Sequence, residues 1–320
     1  MTNQRRDDGS LRHLVTLDGL SRAELEALLE HAQRYVRPLG ARAPGNRALD
    51  GITIANLFTE PSTRTRVSFE LAARRLGATV INIEPQHSSR AKGESLLDTV
   101  QTLEALHVDG FVIRAAEPGI IPELTAHVAA HVSVLSGGEA HLSHPTQGLL
   151  DALTVRQRKG TRFEELCVVI MGDIRHSRVA RSAVAAFTTL GVGELRLVAP
   201  AALLPAADEF PGCRRFATAD DGLRDADVVM TLRIQKERMA QAEIPDGAEY
   251  FARYGLTAPR LRLARPDAIV LHPQPMNRGI EIDSEVADGA QAAIRDQVRN
   301  GVAVRMAVLE TVLRPRAARP

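Results

Sequence analysis

Residues 58 to 66 read Phe58-Thr59-Glu60-Pro61-Ser62-Thr63-Arg64-Thr65-Arg66, a run dense in hydroxyls and guanidinium groups. It follows the apolar stretch Ile52-Thr53-Ile54-Ala55-Asn56-Leu57 and precedes the helical pattern Val67-Ser68-Phe69-Glu70-Leu71. This context predicts a buried strand, a loop at its carboxyl end and a helix opening directly from the loop. The N–H groups and dipole of a helix N-terminus favour an anion. Hydroxyls add donors, and Arg64 can hold phosphate oxygens in a bidentate fork. An ordinary helix cap needs one hydroxyl and no arginine. The residue set points to a phosphate site, one that lacks the glycine-rich loop of the common nucleotide folds.

Other polar clusters also follow apolar runs. Arg114 follows Gly110–Ile113, and His144-Pro145-Thr146-Gln147 comes after Val132–Leu135. Gly172-Asp173-Ile174-Arg175-His176-Ser177-Arg178 follows Leu166–Met171, and Arg233-Ile234-Gln235 follows Asp227–Leu232. His272-Pro273-Gln274-Pro275-Met276-Asn277-Arg278-Gly279 follows Ala268–Leu271. Ligands of parallel α/β sheets bind at the carboxyl ends of strands, so these clusters form two polar rims. The first rim, with hydroxyls, a histidine, a glutamine and arginines, suits a phosphate beside a polarised carbonyl. The second, with Arg178 and Arg233, suits carboxylates. Together they predict group transfer from a phosphorylated electrophile to an acidic nucleophile in a cleft between domains. No Ser-His-Asp or Cys-His constellation competes with that chemistry.

The elements needed to position these groups alternate along the chain. A capping box, Ser21-Arg22-Ala23-Glu24, opens a helix through Leu25, Leu28, Leu29 and Ala32, and a Pro/Gly/Arg-rich connection follows. Strands at Thr79–Ile83, Gly110–Ile113 and Val132–Leu135 are separated by helices, and Pro145 starts a helix that crosses between domains. A second alternating unit runs from Leu166, and a long helix spans about Ala290 to Leu313, followed by a frayed tail. The fold class this predicts is α/β, with two Rossmann-like domains on parallel sheets and an interdomain active-site cleft. The domains are placed at 1–145, with the C-terminal helix at about 290–320 packing back on it, and at 146–289.

With 320 residues, the chain can bury a substantial core in each of two domains. Forty basic against 39 acidic residues and 3% aromatics leave no basis for nucleic-acid or membrane binding. Cys167 and Cys213 cannot supply a disulfide framework or a zinc cluster, and His141 with His144 has no completing ligand. No metal or cofactor is therefore predicted. Met1–Asp8 lacks the apolar segment of a signal peptide, so a cytoplasmic protein is the default expectation. A dinucleotide site is disfavoured because no G-x-G-x-x-G follows Gly172.

The string Ser62-Thr63-Arg64-Thr65-Arg66, within Phe58…Phe69-Glu70, resembles the carbamoyl-phosphate signature of the aspartate/ornithine carbamoyltransferase family. Matching motifs recur in family order from about Val15 to Leu313. The resemblance implies that Ser62, Thr63, Arg64 and Thr65 bind the phosphate of carbamoyl phosphate. It implies that Thr65, Arg114 and His144 contact the carbonyl oxygen, and that Gln147 orients the carbamoyl amino group. Glu60 is implied to pair with arginines across the cleft. In the family, the loop corresponding to Glu84–Glu94 reaches a neighbouring subunit's site, so Ser88 and Lys92 are implied to serve the next chain of a homotrimer with shared sites.

Ornithine enzymes carry a Ser-Met-Gly loop and a His-Cys-Leu-Pro motif, both missing here. In their place stand Arg233-Ile234-Gln235-Lys236-Glu237-Arg238, similar to the aspartate-binding loop, and His272-Pro273-Gln274-Pro275. An arginine suits an acidic acceptor and repels a cationic one. The resemblance thus implies that L-aspartate is the acceptor, held by Lys92, Arg178, Arg233 and Gln235, with Pro273, Gln274 and Pro275 near both substrates. It also implies an early step of pyrimidine synthesis and an assembly with a dihydroorotase or an inactive relative. The rivals are a different amino-acid acceptor and a non-catalytic assembly subunit.

Overall fold

The computed structural model describes residues 4–83, 93–235 and 246–317. Two compact units emerge. The first takes the chain up to Gly19, Glu26–Thr146 and the segment from Arg299, and the second takes Leu20–Leu25 and Gln147–Val298. No helix among the described residues is long and apolar enough to cross a membrane.

In chain order the first part comprises α1 (Arg22–Gln33), β1 (Thr53–Phe58), α2 (Thr63–Arg75), β2 (Thr79–Ile83), α3 (Leu96–Ala105), β3 (Gly110–Ala115), α4 (Ile120–His127), β4 (Ser133–Glu139) and α5 (Pro145–Lys159). The four strands form one parallel sheet in the order β2-β1-β3-β4. β1, β3 and β4 are buried along nearly their whole length, as strands covered on both faces must be, whereas β2 is a partly exposed edge. Ala55, Leu57, Phe111, Ile113 and Val134 from the strands pack with Leu96, Val100, Ile121 and Leu124 from the helices. Each of the larger side chains here contributes about 1.5–3 kcal/mol when fully buried.

The second part comprises β5 (Cys167–Gly172), α6 (Arg178–Thr189), β6 (Glu194–Val198), β7 (Arg214–Phe216), α7 (Ala219–Leu223), β8 (Val228–Leu232), α8 (Gly247–Tyr254), α9 (Ala258–Leu261), β9 (Ile269–Leu271), α10 (Ser284–Ala287) and α11 (Ile294–Ala317). Its sheet is again parallel, in the order β7-β6-β5-β8-β9.

Both sheets reverse direction once. From β1 the chain moves outward to β2 and then returns to place β3 on the other side of β1. From β5 it moves outward through β6 and β7 before β8 takes the far side of β5. The crevice at such a reversal is where parallel sheets bind ligands.

α11 differs from the expected helix at its C-terminal end, because it continues through Ala317 rather than fraying after Leu313. Its later part is fastened to the first unit. Leu313 methyls lie where a Cβ on Gly110 would approach them at 3.3 Å, and the Ser133 hydroxyl donates to the Val312 carbonyl. The edge strand β7 was not legible in advance: three residues, an exposed arginine followed by two half-buried positions, carry no alternation.

Candidate active site

The first unit's switch point lies between the ends of β1 and β3, where Phe58 is in register with Arg114. The Thr59 backbone N–H donates to the Arg114 carbonyl at 2.8 Å, and its hydroxyl reaches the same oxygen at 3.2 Å. The loop after β1 is thus tied to β3 before the helix begins. The Arg114 guanidinium is held by Glu60 Oε1 at 2.6 Å and donates from Nη1 to the Gly137 carbonyl at 3.1 Å. Glu60 thus has an ion-pair partner, Arg114, inside its own unit. Pairing of β3 with β4 slips at this point, so that Ile113 faces Ser136 while Arg114 faces Gly138. Gly137 is the extra residue, and a Cβ there would meet the Phe58 ring at 3.3 Å and Arg114 Cβ at 3.5 Å. A bulge of this kind re-aims a side chain.

Pro61 and Ser62 lead directly into α2. Ser62 occupies the N-cap position (φ −162°, ψ 87°), yet its hydroxyl makes no capping hydrogen bond. Thr63 and Arg64 are exposed at the helix start, Ser62 is half-buried and Thr65 is buried. The helix itself is firmly seated. Phe69, Ala72 and Ala73 are buried, and the Arg305 guanidinium stands 4.9 Å from the Phe69 ring centre. Glu70 accepts from Asn82 at 2.9 Å, and Asn82 accepts in turn from Asn56 at 2.9 Å. The Asn82 amide, aided by Arg74, holds the Glu70 carboxyl below its usual range. These bonds fix the helix against the strands while its N-terminal residues reach solvent.

His144 is buried just before Pro145, the first residue of α5, a position where proline gives up no helical hydrogen bond. The preceding Ser143 donates its hydroxyl to the Val15 carbonyl at 2.6 Å. α5 then carries the chain into the second unit, where Gln147 donates its amide Nε2 to Asp151 Oδ1 at 2.9 Å. With its nitrogen on a carboxylate, Gln147 has its amide oxygen to offer to a donor.

In the second unit, the ends of β5 and β8 approach closely. A Cβ on Gly172 (φ 124°) would lie 2.3 Å from the Leu232 carbonyl, so only glycine fits. The wholly buried Asp173 carboxylate then laces the two following loops together. It accepts from His176 N at 3.2 Å, His176 Nδ1 at 2.9 Å and the Gln235 backbone N at 3.1 Å. Gln235 Nε2 donates to the His176 carbonyl at 3.0 Å, so its amide nitrogen serves the loop. Ser177 caps α6 by accepting from Ala180 N at 3.1 Å. Arg178, the first helical residue, is buried, and Arg233 is half-buried beside the buried Ile234.

The turn after β9 has a left-handed Gln274 (φ 53°) and a cis bond to Pro275. Gln274 N donates to His272 Nδ1 at 2.8 Å. Pro273 and Gln274 are half-buried and Pro275 is exposed. Ser88 and Lys92 lie outside the described residues, as do Lys236 and Arg238. Among the described residues, no group of three or more His, Cys, Asp or Glu side chains could hold a metal ion.

Sequence reasoning did not single out Asp151, Glu281 or Gln297, all buried polar residues beside these loops, and placed Asp173 in a strand-end cluster without foreseeing its bonds. Asp151 carried a usable signal, since it interrupts the apolar helical run Leu149-Leu150-Asp151-Ala152-Leu153.

Comparison with known proteins decides the lineage. Residues 12–157 match the family model described as "Aspartate/ornithine carbamoyltransferase, carbamoyl-P binding domain", and residues 164–312 match the "Asp/Orn binding domain" of the same family. The chain belongs to the aspartate/ornithine carbamoyltransferase family. Among solved structures, it resembles the aspartate transcarbamoylase of Trypanosoma cruzi in complex with carbamoyl aspartate and phosphate. That match has a TM-score of 0.81 and 31% identity over 94% of this chain and 96% of that one. It also resembles the ornithine carbamoyltransferases of Thermus thermophilus (TM-score 0.81, 25% identity, 94% and 99% covered) and Pyrococcus furiosus (0.81, 28%, 94% and 97%). The family's two domain models thus fall on the two sheets, one switch point in each.

Proposed function

We propose that this member of the family is an aspartate carbamoyltransferase, which converts carbamoyl phosphate and L-aspartate to N-carbamoyl-L-aspartate and phosphate. The observation that carries this choice is the pair Arg178 and Arg233 at the switch point of the second sheet. Two guanidiniums there suit an acceptor with two carboxylates and repel one with a second ammonium group. The structures of T. cruzi aspartate transcarbamoylase with carbamoyl phosphate and aspartate, 30% identical over 94% of this chain, support the same reading.

In this reading, Ser62, Thr63, Arg64 and Thr65 take the phosphate at the start of α2, where the Ser62 hydroxyl is not spent on a cap. Arg114, His144 and Thr65 stabilise the carbonyl oxygen as negative charge develops on it. Gln147 accepts from the carbamoyl amino group through the amide oxygen that Asp151 leaves to it. The uncharged amine of aspartate attacks the carbonyl carbon and forms an N–C bond. The C–O bond to phosphate then breaks, and the proton lost by the nitrogen ends on the departing phosphate. Arg178, Arg233 and Gln235 hold the acceptor, with the Pro273–Gln274–Pro275 turn alongside. Electrostatic preorganisation of this kind needs no covalent nucleophile.

The reading extends to a homotrimer in which Ser88 and Lys92 serve the neighbouring site, to a cytoplasmic role early in pyrimidine synthesis, and to association with a dihydroorotase or an inactive relative. It assigns the first domain to 1–145 with the C-terminal helix, and the acceptor domain to 146–289. Mixing inactive Lys92→Ala and Arg64→Ala chains should restore activity by forming sites intact at both positions. Failure to recover any activity would reject the shared site. The activity itself is tested by an acceptor panel with carbamoyl phosphate. Stoichiometric carbamoyl-aspartate and phosphate are expected with aspartate and no product with ornithine; the reverse would move the protein to the other branch of the family.

A further inference from the structure

A chain of buried hydrogen bonds in the second unit starts at Gln147 and ends at the turn after β9. The Asp151 carboxylate, fully buried, accepts at one oxygen, Oδ1, from two amides: Gln147 Nε2 at 2.9 Å and Gln297 Nε2 at 2.7 Å. Gln297, also buried, accepts at Oε1 from the His272 backbone N–H at 2.9 Å. The wholly buried His272 ring accepts at Nδ1 from the Gln274 N–H at 2.8 Å. Its proton is thereby assigned to Nε2, which lies 3.1 Å from Glu281 Oε1. The same Glu281 oxygen accepts from the Asn277 N–H, which closes the far side of the turn. Every atom in the chain thus has a fixed donor or acceptor role, and all of these residues belong to one unit.

A carboxylate can only accept. Facing Asp151, the Gln147 amide must present nitrogen inward, because the flipped amide would set two acceptor oxygens against each other. The same carboxylate, through Gln297, fixes the main chain from which the Pro273–Gln274–Pro275 turn departs. We propose that Asp151 is a positioning residue for carbamoyl transfer. It sets the polarity of the Gln147 amide and, through Gln297 and His272, the placement of the 273–275 turn. The proposal rests on the function proposed above, in which Gln147 accepts from the carbamoyl amino group and the turn lies near both substrates. Asp151 itself touches neither substrate.

The test is a kinetic double-mutant cycle on the full-length protein with carbamoyl phosphate and aspartate. Asp151→Leu removes the acceptor, and should lower kcat/KM for carbamoyl phosphate by about 10- to 100-fold, as expected for misplacement of a contacting group. In a Gln147→Ala background the same change should cost less than about 2-fold, because the amide it orients is gone. Asp151→Asn keeps an oxygen for both amides and should retain kcat/KM within about 3-fold, a rescue that loss of packing alone would not give. Should Asp151→Leu fail to fold, Gln297→Met breaks only the branch to the turn. It should lower kcat while the carbamoyl-phosphate KM stays within about 2-fold, since Gln147 keeps its partner. Equal losses from Asp151→Leu in both backgrounds, or a Gln297→Met enzyme with unchanged kcat, would overturn the positioning role. A wild-type protein that makes no carbamoyl-aspartate would instead overturn the functional reading on which it rests.

Discussion

α2 and α6 occupy equivalent places in the two units. Each follows the strand at which its sheet reverses direction, and each has a serine at the N-cap. They use it differently. Ser177 bonds to Ala180 N and closes its own helix end, whereas the Ser62 hydroxyl makes no cap. The difference follows the charge each unit is suited to receive. An open helix end flanked by hydroxyls and Arg64 suits a tetrahedral phosphate, which takes many short donors. A self-capped end leaves recognition to Arg178 and Arg233, whose side chains suit planar carboxylates.

The largest effect that could break this contrast is loss of transition-state stabilisation on the first unit. Arg64→Ala and Arg114→Ala should each lower kcat by about 10²–10³-fold, as removal of a preorganised donor does elsewhere, measured by steady-state kinetics at saturating aspartate. On the second unit, Arg233→Ala should act mainly on the acceptor. A charge-assisted bond of about 1.5–3 kcal/mol translates to a rise of about 10- to 100-fold in the aspartate KM. An unchanged aspartate dependence would remove Arg233 from the acceptor site.

Acid sensitivity should separate the units next. His13, buried in the first unit, accepts from Val134 N at Nδ1, and burial, helped by Arg12 and Arg6, pushes its pKa down to about 3. The unfolded chain binds that proton from about pH 6.5 downward, so this stability is complete above pH 6.5 and is lost as the pH falls toward 3. At pH 5 the loss amounts to about 2 kcal/mol. In the second unit, hydrogen bonding to Arg196 and then Arg214 holds Glu194 down to about 2. Its contribution is lost only as the pH falls from about 4.5 toward 2. Hydrogen exchange between pH 7 and 5 should therefore show protection falling first in the first unit, and His13→Gln should flatten that trend.

The smallest effect is on the caps themselves. Ser177→Ala should cost about 1 kcal/mol of stability in denaturant unfolding, and Ser62→Ala only a few tenths. Equal losses would mean that Ser62 caps its helix after all.

Much of the site was legible because its residues sit at strand ends in an alternating pattern. The run from Ser62 to Arg66 announced a helix start with more donors than a cap requires, and Arg178 and Arg233 each followed an apolar strand. Partners contributed by other strands were not legible. The ion pair of Glu60 with Arg114 depends on β1–β3 register, which the linear sequence does not display. The bond from the Gln235 amide nitrogen to the His176 carbonyl, between loops 59 residues apart, was equally hidden. Asp173 and Gln297 acquire meaning only when distant loops are brought together. The short strand β7 was invisible because three residues at an edge show no periodicity.

The division of labour between the two switch points is tested most directly by titrating inorganic phosphate calorimetrically into wild type, Arg64→Ala and Arg233→Ala proteins. The account predicts that Arg64→Ala abolishes measurable phosphate binding while Arg233→Ala leaves its affinity unchanged. Phosphate binding that survives in Arg64→Ala, or disappears in Arg233→Ala, would contradict it.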